Sequence, residues 1–383
     1  GEVLLSTERL TALREVDAFD DVMVVEAGVT LAAVHEAAHD AGRRFPLRLA
    51  SEGSATIGGL ISTNAGGTAV LRFGNMREQV IGLEAVLPNG QVWKGLKRLR
   101  KDNTGYDLKQ LLIGAEGTLG VVTAAALKLQ PIPASRAVAF VGLKSPADAV
   151  RLLARAKDAA GSGLEGFELV SGLGLRLVLK NIPNQRAPLA DEYPWYGLIE
   201  VASPEPGGAE AVIERVLAAA LEGDLVQDAA VAQNEAQAAA FWAIREHQSA
   251  AQKPEGAEWK HDVAVPVSRV ADFIETASRA MERLSPGVRV DAFGHVGDGN
   301  IHFDVLVAEG GDNAAHVAHR EEAARVVHDI AASMEGSISA EHGLGAMKTA
   351  EALRYKSPVE VEAMRALRRA LDPRRIMNPR VLF

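Results

Sequence analysis

The fold of this chain can best be inferred from the stretch Gly53-Ser-Ala-Thr-Ile-Gly-Gly-Leu-Ile-Ser-Thr-Asn-Ala-Gly-Gly67. Glycine admits positive φ and lets a ligand approach the backbone closely, and successive N–H groups in such turns form anion-binding concavities. Thr63 and Asn64 add side-chain donors. The stretch is neither a P-loop, since no Gly-Lys-Ser/Thr follows, nor a Rossmann fingerprint. A loop that serves only tight turns is an equally good interpretation of this composition.

A second glycine-rich stretch, Gly114-Ala-Glu-Gly-Thr-Leu-Gly120, runs directly into residues 121–130, which predict a strand. A ligand-binding turn and a plain turn before a strand both fit it.

The surrounding pattern predicts strands at residues 3–6 and 22–26, helices at 7–13 and 30–41, and a hairpin formed by 80–87 and 92–93. Thr30 is the expected N-cap of the second helix, and Asn89-Gly90 is the expected hairpin turn. Pro131-Ile-Pro133 indicates a domain boundary.

Beyond this boundary, strands and helices alternate. The predicted strands cover residues 137–143, 196–202, 262–267, 288–295 and 301–307, and the predicted helices cover 147–159, 209–221, 268–284 and 314–334. Strands interleaved with amphipathic helices indicate an α+β domain with its helices on one face of a sheet. A short strand at 337–341 and two C-terminal helices are expected to follow.

The segment Gly294-His-Val-Gly-Asp-Gly-Asn-Ile-His302 predicts a metal site from its spacing. If residues 297–300 form a four-residue loop, His295 lies opposite His302, with Cβ atoms about 4.5–5.5 Å apart on one face of the hairpin. Two imidazoles so placed can share a zinc ion at Zn–N distances of about 2.0–2.1 Å. The alternative is that both histidines are structural.

The segment Ser339-Ala-Glu-His-Gly-Leu-Gly345 offers a third ligand. Glu341 is the candidate carboxylate, and His342 is its neighbour, followed by a glycine that allows a bend. Two histidines and a carboxylate with open positions are typical of a catalytic rather than a structural metal site.

A weaker signal lies between residues 242 and 260. Arg245 and Ser249 are expected to share one helix face at i, i+4, and Lys260 stands just before a predicted strand. An exposed arginine and a solvated lysine are the alternative interpretation.

Composition excludes several classes of protein. The formal net charge of −9 gives no general footprint for nucleic-acid binding. The absence of cysteine excludes disulfides, iron–sulfur clusters and a cysteinyl bond to a flavin. No apolar run approaches the roughly 20 residues that span a bilayer, and no signal peptide is visible. A cytoplasmic protein is the default expectation.

Taken together, these motifs resemble the flavin-linked D-2-hydroxy acid dehydrogenases, a group within the vanillyl-alcohol-oxidase type of FAD fold. The group includes D-lactate dehydrogenases, glycolate oxidase large subunits and D-2-hydroxyglutarate dehydrogenases, and the last of these is the most similar. Besides the glycine-rich stretches and the two histidine segments, the resemblance rests on Arg100-Lys-Asp-Asn-Thr-Gly-Tyr-Asp-Leu-Lys-Gln110 and Asp372-Pro-Arg-Arg-Ile-Met-Asn-Pro379.

The resemblance implies a role for each matching residue. The implied FAD contacts are Ile57, Gly58, Thr63, Asn64, Gly66, Gly67, Glu116, Gly117, Gly120, Val122 and Asn378. The implied substrate contacts are Arg245, Ser249, Lys260, Asn300 and His342, with His342 also the base; the implied metal ligands are His295, His302 and Glu341. Ser249 stands where the most similar relatives more often have threonine, so the hydroxyl is kept.

The implied architecture is a vanillyl-alcohol-oxidase-type FAD-binding domain at residues 1–133, a ferredoxin-like α+β substrate domain with the metal hairpin at 134–335, and a C-terminal helical segment at 336–383 that closes over the flavin. The family has roughly another hundred residues at its N-terminus, holding a first FAD loop, and this chain is expected to begin after them.

The implied reaction oxidises a D-2-hydroxy acid, with D-2-hydroxyglutarate expected before D-lactate or glycolate. Noncovalent FAD takes the hydride and a divalent metal, zinc first, polarises the hydroxyl. An electron-transfer flavoprotein or a quinone would accept the electrons, and a homodimer is left open. The alternatives from other classes are a zinc hydrolase and a non-catalytic module.

Overall fold

The computed structural model describes residues 3–382, and the chain forms two compact units. The first comprises Gly1–Ile132 and Glu341–Phe383, and the second comprises Pro133–Ala340. Residues 336–340, expected in the C-terminal segment, therefore lie in the second unit. The functions expected of the domains stay predictions.

The described part of the chain contains helices and strands in alternation. The strands are β1 (Leu13–Asp17), β2 (Val22–Glu26), β3 (Arg43–Arg44), β4 (Val80–Val86), β5 (Val92–Gly95), β6 (Val121–Lys128), β7 (Gln130–Pro131), β8 (Ser135–Leu143), β9 (Leu164–Ser171), β10 (Trp195–Ser203), β11 (Asp228–Val231), β12 (Glu258–Ala264), β13 (Arg289–Phe293) and β14 (Asn300–Leu306). The helices are α1 (Leu31–Asp40), α2 (Ile57–Thr63), α3 (Val70–Phe73), α4 (Met76–Gln79), α5 (Lys109–Leu112), α6 (Pro146–Ala160), α7 (Gly172–Asn181), α8 (Gly208–Glu222), α9 (Glu235–Glu246), α10 (Gln248–Gln252), α11 (Val270–Leu284), α12 (Asn313–Ala318), α13 (Arg320–Ser333), α14 (Thr349–Tyr355) and α15 (Pro358–Leu371). Among these helices, none combines the length and the apolar character needed to cross a membrane.

An antiparallel sheet in the order β1-β2-β6-β4-β5 forms the centre of the first unit, and β3 pairs with β7 separately. Helices α1 and α2 pack on this sheet through aliphatic side chains, including Leu31, Val34, Ile57 and Ile61, all fully buried. Each such burial stabilises the fold by about 1.5–3 kcal/mol. The core therefore fixes α2, which lies inside the first glycine-rich stretch.

Most elements predicted for the first unit are confirmed. The Thr30 hydroxyl accepts the N–H of Ala33 at 3.3 Å, as expected of an N-cap, and Gly90 adopts φ +84° in the β4–β5 turn. The strand predicted at 3–6 and the helix predicted at 7–13 are wrong, because residues 3–12 form neither and Leu13 begins β1. Val3 and Leu4 are 92% and 96% exposed, so their apolar side chains gain no burial that would favour a strand.

The second unit confirms the ferredoxin-like prediction. Its four-stranded antiparallel sheet has the order β11-β8-β10-β9, and α6 and α8 provide the β8–β9 and β10–β11 crossings. This β-α-β-β-α-β connectivity is that of a split βαβ fold, with α7 added between β9 and β10. The sequence pattern predicted β8, β10, α6 and α8 of this layer but not β9 or β11, and the ferredoxin-like fold was implied by the resemblance.

A second, three-stranded antiparallel sheet in the order β12-β14-β13 carries the histidine segment. The single helix expected at 314–334 is wrong, since the chain forms α12 and α13 with a break at His319. The strand expected at 337–341 is reduced to one bridge between Ser337 and Ala264.

Candidate active site

The hairpin between β13 and β14 differs in register from the prediction. Phe293, not His295, lies opposite His302, and the connection runs from Gly294 to Gly299. Gly294 has φ +145°, a conformation that residues with side chains rarely adopt, so β13 ends before it. The direct pairing expected for His295 and His302 is therefore wrong, because a glycine turns the chain out of the sheet first.

The turn after β13 is fastened to β9 of the other sheet in the same unit. Gly294 and Leu169 exchange two backbone hydrogen bonds of 2.9 and 3.0 Å, and the N–H of Gly297 donates to the carbonyl of Phe167 at 3.3 Å. Glu168 lies between these two strand residues. The fastening brings its side chain beside His295.

Glu168 holds two of the predicted site residues. Its Oε1 lies 2.7 Å from Nδ1 of His295, and its Oε2 accepts the Nε–H of Arg245 at 2.7 Å. Its side chain is 1% exposed. Burial acts to raise the pKa of Glu168, but its interactions with His295 and Arg245 outweigh burial and lower this pKa to about 2. The group is therefore a carboxylate at neutral pH.

His302 projects from β14 and supplies the second imidazole. Its ring centroid lies 5.8 Å from that of His295, and its side chain is 17% exposed. A carboxylate only accepts hydrogen bonds, so Nδ1 of His295 carries the hydrogen and Nε2 keeps a lone pair. Two imidazoles at this separation, one of them oriented by a carboxylate, fit the donor set of a zinc-like ion. Metal binding itself stays a prediction.

Asn300 contributes an oriented acceptor. Its Nδ2 donates to Oδ1 of Asp262 at 2.9 Å and to the carbonyl of Val263 at 3.0 Å, which fixes the amide. Its Oδ1 is buried and has no hydrogen-bond partner within residues 3–382. A buried polar atom without a partner is costly, so this oxygen fits the predicted contact with a substrate hydroxyl.

The predicted common helix face of Arg245 and Ser249 is wrong. Arg245 lies in α9 and Ser249 in α10, and His247 between the two helices has φ −85° and ψ 0°. Arg245 is buried, whereas Ser249 is exposed. The single helix expected to carry both residues is therefore divided at His247, and only Arg245 of the two is buried.

Lys260 projects from β12, and acidic residues lie near its ammonium group. Its Nζ lies 3.1 Å from Oε1 of Glu258, and its side chain is 39% exposed. Asp304 lies directly opposite on β14. Lys260 is therefore an accessible cation whose charge is partly balanced.

In the first unit, part of the first glycine-rich stretch is a helix rather than a loop. Helix α2 ends at Asn64, which adopts the left-handed conformation with φ 51°. The second glycine-rich stretch packs on this end, since the N–H groups of Gly114 and Glu116 donate to carbonyls of its last turn at 2.9 and 2.8 Å. The fold thus brings the two stretches together.

The residues predicted to contact FAD differ in their exposure to solvent. Ile57, Gly58, Gly66, Gly67, Gly120 and Val122 are buried, Asn64, Glu116 and Gly117 are half-buried, and Thr63 and Asn378 are exposed. A Cβ on Gly67 would lie 2.3 Å from the carbonyl oxygen of Arg48, so packing alone explains that glycine. Gly117, at φ +71°, uses its amide in no hydrogen bond within the described residues, which fits a donor to an anionic ligand.

Glu116 also organises the C-terminal segment of the first unit. Its carboxylate accepts the N–H groups of Leu344 and Gly345 at 3.0 and 2.8 Å, and its carbonyl accepts Nδ2 of Asn378 at 2.7 Å. The predicted FAD contacts Glu116 and Asn378 are therefore neighbours, and they hold the segment that contains His342.

Glu341 and His342 lie at the start of this segment. A Cβ on Gly66 would lie 3.4 Å from Oε1 of Glu341, and His342 is exposed. The preceding residue, Ala340, belongs to the second unit and donates its N–H to the carbonyl of Asp262 at 3.2 Å. The role of Glu341 as third metal ligand stays a prediction.

The sequence analysis missed Glu168. The signal was present, because residues 164–171 (Leu-Glu-Gly-Phe-Glu-Leu-Val-Ser) place two carboxylates in an otherwise apolar run. An ionised residue in a buried strand is rarely tolerated without a partner. Such a position marks a candidate polar site even before its partner is known.

Two domain families match the chain. The FAD linked oxidases, C-terminal domain, matches residues 132–382, and the FAD binding domain matches residues 1–95. A protein of Arabidopsis thaliana named "D-2-hydroxyglutarate dehydrogenase, mitochondrial" is 37% identical over 378 residues, covering 99% of this chain and 66% of the relative. A protein of Xanthomonas citri pv. viticola named "D-2-hydroxyglutarate dehydrogenase" is 36% identical over 383 residues, covering 100% and 80%.

Among solved structures, p-cresol methylhydroxylase with substrate bound superimposes with a TM-score of 0.73 at 14% identity, covering 97% of this chain and 78% of that one. This likeness confirms the vanillyl-alcohol-oxidase-type fold expected from the sequence. The chain spans just under two thirds of the length of the Arabidopsis relative. By its matched domains and its relatives, this chain belongs to the family of FAD-linked oxidases.

Proposed function

We propose that the chain is part of a flavin-dependent dehydrogenase that oxidises a D-2-hydroxy acid, with D-2-hydroxyglutarate as the preferred substrate. The observation that carries the proposal is the joint hold of Glu168 on Arg245 and His295, with His302 close by. A cation suited to a carboxylate thus stands beside two imidazoles suited to a metal. The names of the two relatives support the substrate class.

Each residue has a role that follows from its chemistry. Arg245 binds the C1 carboxylate through its guanidinium, which matches planar anions. When substrate binds, Oδ1 of Asn300 accepts the hydrogen bond of the C2 hydroxyl, before that single proton passes to the base. His342 is exposed and takes the hydroxyl proton as the general base. Ser249 offers a hydroxyl for a further oxygen of the substrate.

Two bound groups complete the chemistry. FAD, held without a covalent bond by the two glycine-rich stretches and Asn378, supplies the hydride acceptor that no side chain provides. A divalent ion, zinc in the first instance, held by His295, His302 and Glu341, supplies Lewis-acid stabilisation of the alkoxide. These donors suit zinc, manganese or iron without selecting one sharply.

The preference for a diacid rests on the number of cations. Arg245 is assigned to the C1 carboxylate of the substrate, and Lys260 is a second, accessible cation on β12. A distal carboxylate would pair with Lys260, which D-lactate and glycolate cannot supply. These monoacids remain the alternative substrates. An electron-transfer flavoprotein or a quinone as acceptor, a homodimer and a cytoplasmic location stay predictions.

A zinc hydrolase would use the histidines without FAD, and a non-catalytic module would use neither. The match to two FAD-linked families disfavours both. Anaerobic absorption spectra of the natural full-length protein distinguish all three, because a flavin loses its visible absorption when it is reduced.

We expect D-2-hydroxyglutarate to bleach the flavin, D-lactate to bleach it more slowly, and the L-enantiomer of 2-hydroxyglutarate to leave it unchanged. Acid precipitation should then release the flavin into the supernatant. A colourless protein with hydrolytic activity would establish the hydrolase instead, and a flavin that no D-2-hydroxy acid reduces would refute the proposed reaction.

A further inference from the structure

The backbone of Glu168 is held on both sides of the residue and on both edges of its strand. Leu169 and Phe167 bind the turn after β13, with N···O distances between 2.9 and 3.3 Å. On the opposite edge, Leu198 of β10 lies across from Glu168 in register. The position of the carboxylate is therefore set by two sheets of the second unit, and the turn that carries His295 is fixed against the same strand.

We propose that Glu168 is the positioning residue of the candidate site, which sets the tautomer of His295 and the orientation of Arg245 through one buried carboxylate. The inference rests on the proposed function. Oε1 serves His295 and Oε2 serves Arg245, each at 2.7 Å, so neither oxygen can turn away without losing a charge-assisted contact.

The effect on His295 concerns which ring nitrogen can bind a metal. Contact with an acceptor-only group keeps the hydrogen on Nδ1, so the neutral ring has its lone pair on Nε2. Without this contact, the hydrogen can move to Nε2 and block the ligand atom. Partners of this kind also raise the basicity of a ligating imidazole. Glu168 thus preorganises His295 before any ion arrives.

The effect on Arg245 concerns the direction of its guanidinium. Nε is bound to Glu168, the guanidinium carbon lies 5.0 Å from the ring centroid of Phe293, and Nη2 lies 3.4 Å from Nε2 of His295. Nη1 has no hydrogen bond within residues 3–382. Glu168 therefore leaves one edge of the fork for a ligand and keeps it beside the imidazole.

The test compares Glu168→Gln with Glu200→Gln in the full-length protein. Glu200 is also buried and also binds an arginine, with Nε of Arg136 at 2.7 Å, but it contacts none of the predicted site residues. After removal of metal, the affinity for Zn²⁺ is measured by competition with a chelator. We expect Glu168→Gln to weaken Zn²⁺ binding about 10- to 100-fold, the scale typical of such partners, and Glu200→Gln to leave it unchanged.

A purely structural role would lower thermal stability without changing the ring of His295, so ¹⁵N NMR of the metal-free protein is the second readout. We expect the Nδ1–H form of His295 in the wild type and a mixture of tautomers in Glu168→Gln. If that variant does not fold, Glu168→Asp keeps the charge opposite Arg245 while shortening the reach to the ring, and should also bind Zn²⁺ more weakly.

Equal Zn²⁺ affinity in the wild type and in the folded Glu168 variant would overturn the inference alone. A wild type that binds no metal would instead refute the metal-dependent part of the proposed function. Equal losses of affinity in the Glu168 and Glu200 variants would show that general destabilisation is the cause, and would also overturn the inference.

Discussion

Glu168 and Glu200 are buried carboxylates on the adjacent strands β9 and β10, and α9 supplies a donor to each. Trp242 donates its Nε1–H to Glu200 at 2.6 Å, and Arg245, three residues later, donates to Glu168 at 2.7 Å. They differ in the remaining partner. Glu200 binds Arg136 of the neighbouring strand β8, at 2.7 and 2.8 Å, so its contacts end within the fold.

The contacts of Glu168 end on a histidine in a turn, whose Nε2 lies 3.4 Å from Nη2 of Arg245, and both residues belong to the predicted site. A buried carboxylate with an arginine is therefore not by itself a sign of function. The two sites differ in the residue on which the hydrogen-bond network of the carboxylate ends. For Glu200 this residue is a partner within the fold, and for Glu168 it is a residue of the predicted site. Three pairs of substitutions would break or sharpen this distinction.

The largest difference is expected between a substitution that removes a ring nitrogen at the predicted site and one that removes a ring N–H beside Glu200. His302→Ala should lower metal content and activity together, by more than the roughly 100-fold that marks the loss of an outer-shell partner, because the proposed direct ligand is deleted. Trp242→Phe removes the ring N–H that Glu200 accepts and should leave metal content unchanged. Metal analysis of both purified proteins, alongside kcat/KM, checks this. Full activity of His302→Ala in chelator-treated samples would show that metal has no role.

The arginines should differ less in activity and hardly at all in stability. Arg245→Met and Arg136→Met each leave a buried carboxylate without its charge partner, which costs about 3–5 kcal/mol of unfolding free energy. Only Arg245→Met should also reduce kcat/KM, by about ten- to a hundredfold, since a charge-assisted contact is worth about 1.5–3 kcal/mol. Urea unfolding and steady-state kinetics separate the two effects. A comparable fall in kcat/KM in Arg136→Met would remove the distinction between the sites.

The outcome of the sequence analysis follows the range of the interactions involved. The N-cap at Thr30 and the turn at Gly90 are set by neighbouring residues, and both were predicted correctly. After Pro133, strands β8, β10, β13 and β14 and helices α6, α8 and α11 were predicted, but β9, β11, α7, α9 and α10 were not. The metal site predicted from the residue types and spacing of the histidine segment stays a prediction.

The errors in the site arise from contacts between distant residues. The register of His295 depends on the bridge between Gly294 and Leu169, which are 125 residues apart in the numbering of the chain. Spacing within the hairpin cannot report that bridge. Glu168 was missed for the same reason, because its two partners lie 77 and 127 residues further along the chain.

The smallest effect concerns Lys260, and it should be selective for substrate. Lys260 shares its charge with Glu258 and is 39% exposed, so solvent screens any carboxylate it binds. We therefore expect Lys260→Met to lower kcat/KM for D-2-hydroxyglutarate by about tenfold, near the lower end of a charge-assisted contact. The value for D-lactate should stay the same, because a monoacid has no distal carboxylate.

Lys180→Met is the matched control, since Lys180 is an exposed lysine of the same unit that pairs with Glu255 at 2.7 Å and is not one of the predicted site residues. This control substitution should change kcat/KM for neither substrate. The selectivity matters more than the size of the loss, because a mutation that merely loosens β12 would lower both rates. If kcat/KM falls equally for both substrates in Lys260→Met, or if the wild type oxidises D-lactate as efficiently as D-2-hydroxyglutarate, Lys260 does not bind the distal carboxylate. The preference for a diacid would then lose its structural basis, while the role proposed for Arg245 in holding the C1 carboxylate would be unaffected.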